Sequence, residues 1–332
     1  MNDPATTRGT AQDTAQDTAQ DTAQDTAQDT AQDTAQDTAQ DTAQDTAWDT
    51  AWDTAWDVVV GTDGSPTAER AVTWAAAEAD RRRAALRIVH AAAHPGVPDR
   101  FGRSRAAAIL ARAYTVAHRS RPRVPVSTST LDGPPAAALV AAAEDAGLLV
   151  VGMLSGRPED SFVASIAGPV SSAARCPVTV VRGHVRPGPD PRPTVVGIEA
   201  CDTDADALPV AVDDAERHHA PLVVVHCPAH PLDGSRSAFE GRLRPWRDRH
   251  PGLSFQVRVT AGSPTDALLD AAAAARHVIV GSHRRGVVPR ALLGSTSRAL
   301  VRFSPCPVTV VGRPLPAAAP FDTHTARHAV HH

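Results

Sequence analysis

The residues best suited to holding an anion lie in VIVGSHRRGVVPRALLGSTSRAL at 278–300. Gly281 lets the backbone turn sharply off a strand, and Gly294-Ser295-Thr296 opens the helix that follows. Free N–H groups and small hydroxyls at a helix N-terminus suit phosphate oxygens. Arg284, Arg285 and Arg290 lie between and can reach a polyphosphate. An ordinary N-capped helix accounts for the same Gly-Ser-Thr, so the segment alone leaves both readings open.

Other reactive residues read as structural. His90 and His226 fall at matched strand ends, where a packed imidazole is the simpler reading than a general base. Cys176 and Cys306 each precede a proline at the start of a strand and read as small buried hydrophobes. His218-His219 and the terminal THTARHAVHH lack the carboxylate or cysteine set of a dedicated metal site, so no metal is expected. Neither G-x-S-x-G nor HExxH occurs, and no catalytic constellation is found.

Composition narrows the classes further. No lysine occurs among the 33 basic residues, which excludes a Walker P-loop, a pyridoxal Schiff base and the kinase phosphate contact. No run of about 18 apolar residues suggests a membrane span, and the polar N-terminus has no secretory h-region. Four cysteines without CxxC spacing fit a reducing compartment, so a cytoplasmic location is expected. Residues 1–57 hold thirteen Asp and one Arg, a net of −12; the rest hold 32 Arg against 24 acids, a net of +8, which together restore the total of −4. A basic body favours polyanionic ligands, but few aromatics and no binding motif argue against specific nucleic-acid recognition.

These residues must be positioned by an ordered body. Residues 11–46 are nine AQDT repeats, followed by AWDT, AWDT and AWD to Asp57. They bury almost nothing and are expected to be a disordered arm; Trp48, Trp52 and Trp56 either dock on the body or are repeat drift. Beyond the arm, β-branched runs alternate with alanine-rich helical stretches. Strands are expected at 57–62, 86–91, 124–130, 148–152 and 178–182, with helices at 66–83, 100–119, 135–146 and 163–174. After a Pro/Gly-rich linker the order restarts, with strands at 194–199, 222–226, 254–260, 277–281 and 308–312. Its helices are expected at 205–219, 235–249, 264–275 and 295–302. Continuously apolar strands alternating with helices indicate a doubly wound parallel α/β fold. ARCPVTVVRG at 174–183 answers SPCPVTVVGR at 304–313, and AALRIVHAAAHP at 84–95 answers APLVVVHCPAHP at 220–231. The chain therefore holds two copies of one five-stranded domain. The expected division is arm 1–56, first copy 57–183, linker 184–193, second copy 194–313 and His-rich tail 314–332. Antiparallel pairing of the two last strands would hide both edges and make an intramolecular pseudo-dimer.

The duplicated pattern resembles a tandem universal stress protein of the UspA type. The likeness rests on VVVGTDGSPTAERAVTWAAAEA at 58–79, the LRIVHA and VVVHC strands, the GSP turn at 262–264, GSHRRG…LLGSTSRAL and the two CPVTVV strands. It implies the strand order 3-2-1-4-5. ATP-binding members carry G-x2-G-x9-G-[ST]; Gly281, Gly294 and Ser295 match it, with Arg284 in place of the middle glycine. In the first copy Gly152 matches, Ser155 replaces the middle glycine, and Ala164-Ser165 stands at Gly-Ser in a loop one residue shorter that carries Glu159 and Asp160. The resemblance places an aspartate at the end of the first strand, on the nucleoside side: Asp63 in the first copy, with Glu199 in the second. A carboxylate there can accept from an adenine amino group or a ribose hydroxyl. A base-contacting position after the second strand is Ala91 in one copy and Cys227 in the other. The implied ligand is an adenine nucleotide, ATP with or without Mg2+, held mainly by the second copy. The implied role is a stress-response sensor or interaction module, with an unidentified protein partner, that is not an enzyme. The alternatives are a partner-binding scaffold with relic motifs and a slow ATP hydrolase.

Overall fold

The computed structural model describes residues 56–92, 100–153, 166–182, 188, 190–198, 207–228, 236–282 and 293–312. The AQDT repeats and the His-rich tail lie outside them. The first copy comprises β1 (Val58–Gly61), α1 (Pro66–Arg82), β2 (Leu86–Ala92), α2 (Arg100–Ser120), β3 (Val126–Asp132), α3 (Pro135–Ala142), β4 (Leu148–Gly152), α4 (Ala167–Ala173) and β5 (Val178–Val181). The second comprises β6 (Thr194–Ile198), α5 (Ala207–Arg217), β7 (Leu222–His226), α6 (Arg236–Arg249), β8 (Phe255–Val259), α7 (Pro264–Ala273), β9 (His277–Gly281), α8 (Ser295–Phe303) and β10 (Val308–Val311).

The strands form one ten-stranded sheet in the order β3-β2-β1-β4-β5-β10-β9-β6-β7-β8. Each half has the order 3-2-1-4-5 and is parallel throughout. The central strands are buried along their length, as helices on both faces require. Alternation sorts their side chains: Val195 joins the core on the α7–α8 side, and its neighbour Val196 packs with Leu208, Phe239 and Leu243 of α5 and α6.

Helix starts follow local chemistry. The Ser65 hydroxyl accepts from the Ala68 amide at 3.2 Å with Pro66 in the first turn, and Ser263 with Pro264 does the same for α7. Several boundaries differ from the sequence expectation. The strand expected at 124–130 begins two residues later, because Pro125 has no N–H and the Val124 amide turns back to the Arg121 carbonyl. It continues to Asp132, which pairs with Ala92. The helix expected at 135–146 ends at Ala142, since Glu144 and Ala146 bond three residues back and tighten its last turn. Of the helix expected at 163–174, Ala167–Ala173 is described, and positions 163–165 lie outside the described residues.

β5 and β10 pair antiparallel, Val308 opposite Val180, Thr309 opposite Thr179 and Val310 opposite Val178. One face of this seam is apolar: Val178, Val180, Val308 and Val310 share a core with Leu149, Leu268 and Leu300. The other face is polar and hydrogen-bonded. Thr179 and Thr309 share a hydroxyl contact of 2.6 Å, and His277 Nε2 lies 2.7 Å from Thr309. His277 donates from Nδ1 to Asp214 at 2.9 Å. Asp214 also accepts from Thr194 at 2.6 Å and from Arg276. Beside it, His218, just past α5, donates to Glu78 of α1 at 3.1 Å, and Glu78 holds Arg82 at 2.7 Å.

Burial opposes ionisation of both acids, but Arg82 and His218 around Glu78, and Arg276 and His277 around Asp214, outweigh it and hold each carboxyl well below its ordinary range. The unfolded chain therefore binds more protons in acid, so this stabilisation is complete above the ordinary carboxylate range and is lost as pH falls below it. Asp214→Asn leaves the Arg276 guanidinium buried without its counter-charge, and a loss of about 3–5 kcal/mol at neutral pH is expected. Denaturant unfolding measured from about pH 7 to pH 3 checks this: the variant starts less stable and loses less on acidification than the wild type.

Candidate functional site

In an open parallel sheet, ligands sit beyond the carboxyl ends of the strands where strand order reverses. Here that point lies between β6 and β9 in the second copy and between β1 and β4 in the first. At the end of β9, Ser282 donates its amide to the Val311 carbonyl at 2.9 Å, and the Gly294 amide returns to the Ser282 carbonyl at 3.0 Å. The Ser297 hydroxyl donates to the Gly281 carbonyl at 3.3 Å. The last two bonds fasten the first turn of α8 to the end of β9, and the first ties that end to β10. Gly281, Gly294, Ser295 and Thr296 are brought together as the sequence anticipated.

No side chain caps α8. The Arg298 amide reaches the Gly294 carbonyl at 3.0 Å, so the amides of Ser295, Thr296 and Ser297 precede the first intrahelical acceptor. Ser295 is exposed and Thr296 half-buried, its hydroxyl accepting from Thr265 of α7 at 3.4 Å. Gly294 has φ −57°, and a Cβ there would stand 3.4 Å from its nearest neighbours. Neither backbone conformation nor packing demands glycine at this position.

At the end of β7, the His226 ring is buried, stacks on Phe239 with centroids 4.2 Å apart and lies 2.9 Å from the Ile198 carbonyl through Nδ1. A carbonyl accepts only, so the proton is on Nδ1 and the ring ties β7 to β6. His90 makes the same link to the Thr62 carbonyl at 2.8 Å. Cys227 is buried, with Sγ 3.3 Å from the Thr260 hydroxyl. Burial raises the Cys176 thiol to about 12 and also pushes Cys306 upward, which leaves both as inert core residues.

The corresponding strand end of the first copy is different. Gly152 closes β4, and a Cβ there would stand 2.6 Å from the Thr67 carbonyl oxygen; here the glycine is required by the approach of α1. Helix α4 has seven residues against nine in α8. The CPV strands match Cys176 to Cys306, which sets the first residue of α8 opposite Ser165. After β1, Asp63 is exposed and accepts the Ser65 amide at 2.8 Å, while Gly64 at φ +80° completes the turn into α1. Glu199, Arg284 and Ser165 lie outside the described residues.

The sequence reading missed the seam acids. Glu78, Asp214 and His218 place one ligand atom each within 4.8 Å of one another, so His218 does have carboxylates beside it. Arg82 and Arg276 already neutralise those carboxylates, and a dication there would face two buried guanidiniums. The missed signal was the repeat itself: the LRIVHA and LVVVHC strands align with an offset that sets Glu78 opposite Asp214 in the two first helices.

The sequence profile of the universal stress protein family matches residues 57–182 and again 191–312. The chain belongs to the universal stress protein family. It is similar to a universal stress protein of Mycobacterium tuberculosis (strain ATCC 25618 / H37Rv), 31% identical over 312 residues, which cover 79% of this chain and 97% of that one. Among solved structures, a universal stress protein from Archaeoglobus fulgidus DSM 4304 has the same fold at TM-score 0.63 and 19% identity, with coverage of 77% of this chain and 98% of that one. The structure of the universal stress protein from Archaeoglobus fulgidus in complex with dAMP covers 38% of this chain and 96% of that one, at 24% identity and TM-score 0.32. No described helix of this universal stress protein is long and apolar enough to cross a membrane.

The two glycines give opposite expectations. Gly152→Ala forces the Thr67 backbone to move and is expected to lower stability by about 1–3 kcal/mol. Gly294→Ala meets only ordinary contacts and is expected to stay within about 0.5 kcal/mol of wild type. Denaturant midpoints of the two variants, measured side by side, check the contrast.

Proposed function

We propose that this universal stress protein binds an adenine nucleotide, ATP with or without Mg2+, chiefly in its second copy. The carrying observation is the first turn of α8: three backbone donors without an intrahelical acceptor, no side-chain cap, and a glycine before them that packing does not require. Phosphate oxygens would be held by the amides of Ser295 and Thr296 with their hydroxyls, and Gly281 and Gly294 would let the ligand approach the backbone. Arg284 would add charge, with Glu199 and Cys227 toward the nucleoside. In the first copy Asp63, Gly152 and Ser165 would form the corresponding weaker site.

On this reading the body divides into copies 57–183 and 194–313 joined by the linker 184–193, with the arm 1–56 and the tail 314–332 outside. The β5–β10 pairing makes the copies an intramolecular pseudo-dimer. The protein acts in the cytoplasm as a stress-response sensor or interaction module for an unidentified protein partner, by binding rather than catalysis. A second reading, a partner-binding scaffold whose nucleotide motif is a relic, is favoured in the first copy by Ser155 in place of the middle glycine and by Glu159 and Asp160 in its loop.

Calorimetric titration of ATP into the full chain separates these readings. Binding of about one equivalent, lost in the Gly294→Asp, Ser295→Asp double variant through repulsion at the helix N-terminus, is expected. Absence of heat, with no nucleotide released from denatured protein, contradicts nucleotide binding and leaves the scaffold. Steady release of inorganic phosphate during the titration would instead indicate the slow hydrolase.

A further inference from the structure

Arg182 follows β5 in the first copy and is buried, with 6% of its surface exposed. Its Nη1 donates to the carbonyl of Val301 at 2.6 Å, across the seam in α8 of the second copy. The Leu300 carbonyl is already taken by the Ser304 amide at 2.9 Å. Val301 therefore carries the next of the terminal carbonyls that a helix leaves without an intrahelical donor. A cation there also meets the negative end of the helix dipole. Among the described residues no carboxylate pairs with Arg182, and its Nε has no hydrogen-bond partner. Burial and the nearby Arg302 guanidinium both push its pKa down. A buried guanidinium without a counter-ion is expensive to keep, so the end of α8 is its main compensation. The same Nη1 also lies 3.8 Å from Met153 Sδ, one residue beyond Gly152 at the end of β4.

The arrangement has no counterpart in the other direction. The CPV match sets Gly312 opposite Arg182, and at Gly312 there is only space for a Cβ 3.4 Å from the Ala174 carbonyl, just past α4. The helix held by a cation from the other copy, α8, is formed from Ser295 onward. We infer that Arg182 is a cross-copy positioning residue: the first copy holds the C-terminal end of α8 and so sets the placement of its N-terminal donors in the second copy. The division of labour between the copies is then built into the seam, one copy bracing the anion-binding helix of the other. Arg182 touches no ligand.

The part of this inference that concerns ligand affinity rests on the nucleotide reading; the part that concerns α8 does not. The test uses the full chain as wild type, Arg182→Met and Arg182→Lys. Met fills similar volume without a donor, and Lys keeps a donor for the Val301 carbonyl. Two quantities are measured: backbone amide exchange of α8 and α4 in nucleotide-free protein, and the dissociation constant for ATP. Arg182→Met is expected to speed exchange in α8 and not in α4, and to weaken ATP binding about tenfold. Arg182→Lys is expected to restore both. Should Arg182→Met fail to fold, Arg182→Gln, which lacks the charge and the reach, replaces it: acceleration confined to α8 supports the brace, and unchanged α8 exchange or equal acceleration in α4 overturns it. Unchanged α8 exchange in Arg182→Met, or equal acceleration in α4 and α8, also overturns it. If the wild type binds no ATP, the nucleotide reading fails while the exchange measurements still decide the brace.

Discussion

Two acids of α1 and α5, Glu78 and Asp214, sit where the two halves of the sheet meet, and the rest of the molecule is arranged around keeping them charged. Joining β5 to β10 removes an exposed edge from each half, but it also brings the first helix of each copy over the same pair of threonines. An apolar filling would satisfy burial on that face. The chain instead uses a hydrogen-bonded set running from Arg82 through Glu78 and His218, and from Arg276 through Asp214 and His277 to Thr309 and Thr179. Such a set is geometrically demanding, because each unpaired member would carry a desolvation penalty. It fixes one register between the halves, while the valines on the opposite face supply the non-directional burial.

That division has a functional consequence. The apolar side of the seam carries α8, whose first amides have no intrahelical acceptor, and Arg182 reaches it from the first copy. Two domains that began alike have diverged in what they contribute. The first keeps a well-formed turn at Asp63 after its first strand; the second keeps the full helix start at Ser295. A fold with duplicated switch points permits this, because each copy is positioned by the other.

Much of the architecture was legible in the sequence. Apolar strand runs, alanine-rich helices and the repeated CPVTVV and IVHA/VVHC segments give the order of elements, and the Ser-Pro starts of α1 and α7 are local signals. The glycines and hydroxyls of the β9–α8 connection were legible for the same reason: turn and cap chemistry is local. Helix ends were less so, since the tightened turns after Ala142 and Ala273 come from three-residue bonds that composition does not mark. The seam acids and Arg182 were not read at all. Their meaning depends on partners about 20–140 positions away, and a lone Glu, Asp or Arg in a helix or at a strand end looks like ordinary surface charge until the chain is folded.

The central claim is that nucleotide phosphates are received by the first turn of α8. Backbone amide exchange of the full chain with and without ATP tests it most directly, because it reads the donors themselves. The account predicts slowed exchange at Ser295, Thr296 and Ser297 in the presence of ATP, with little change at the start of α4. Slowed exchange confined to the first copy, or saturating ATP that leaves the α8 amides unchanged, would contradict it.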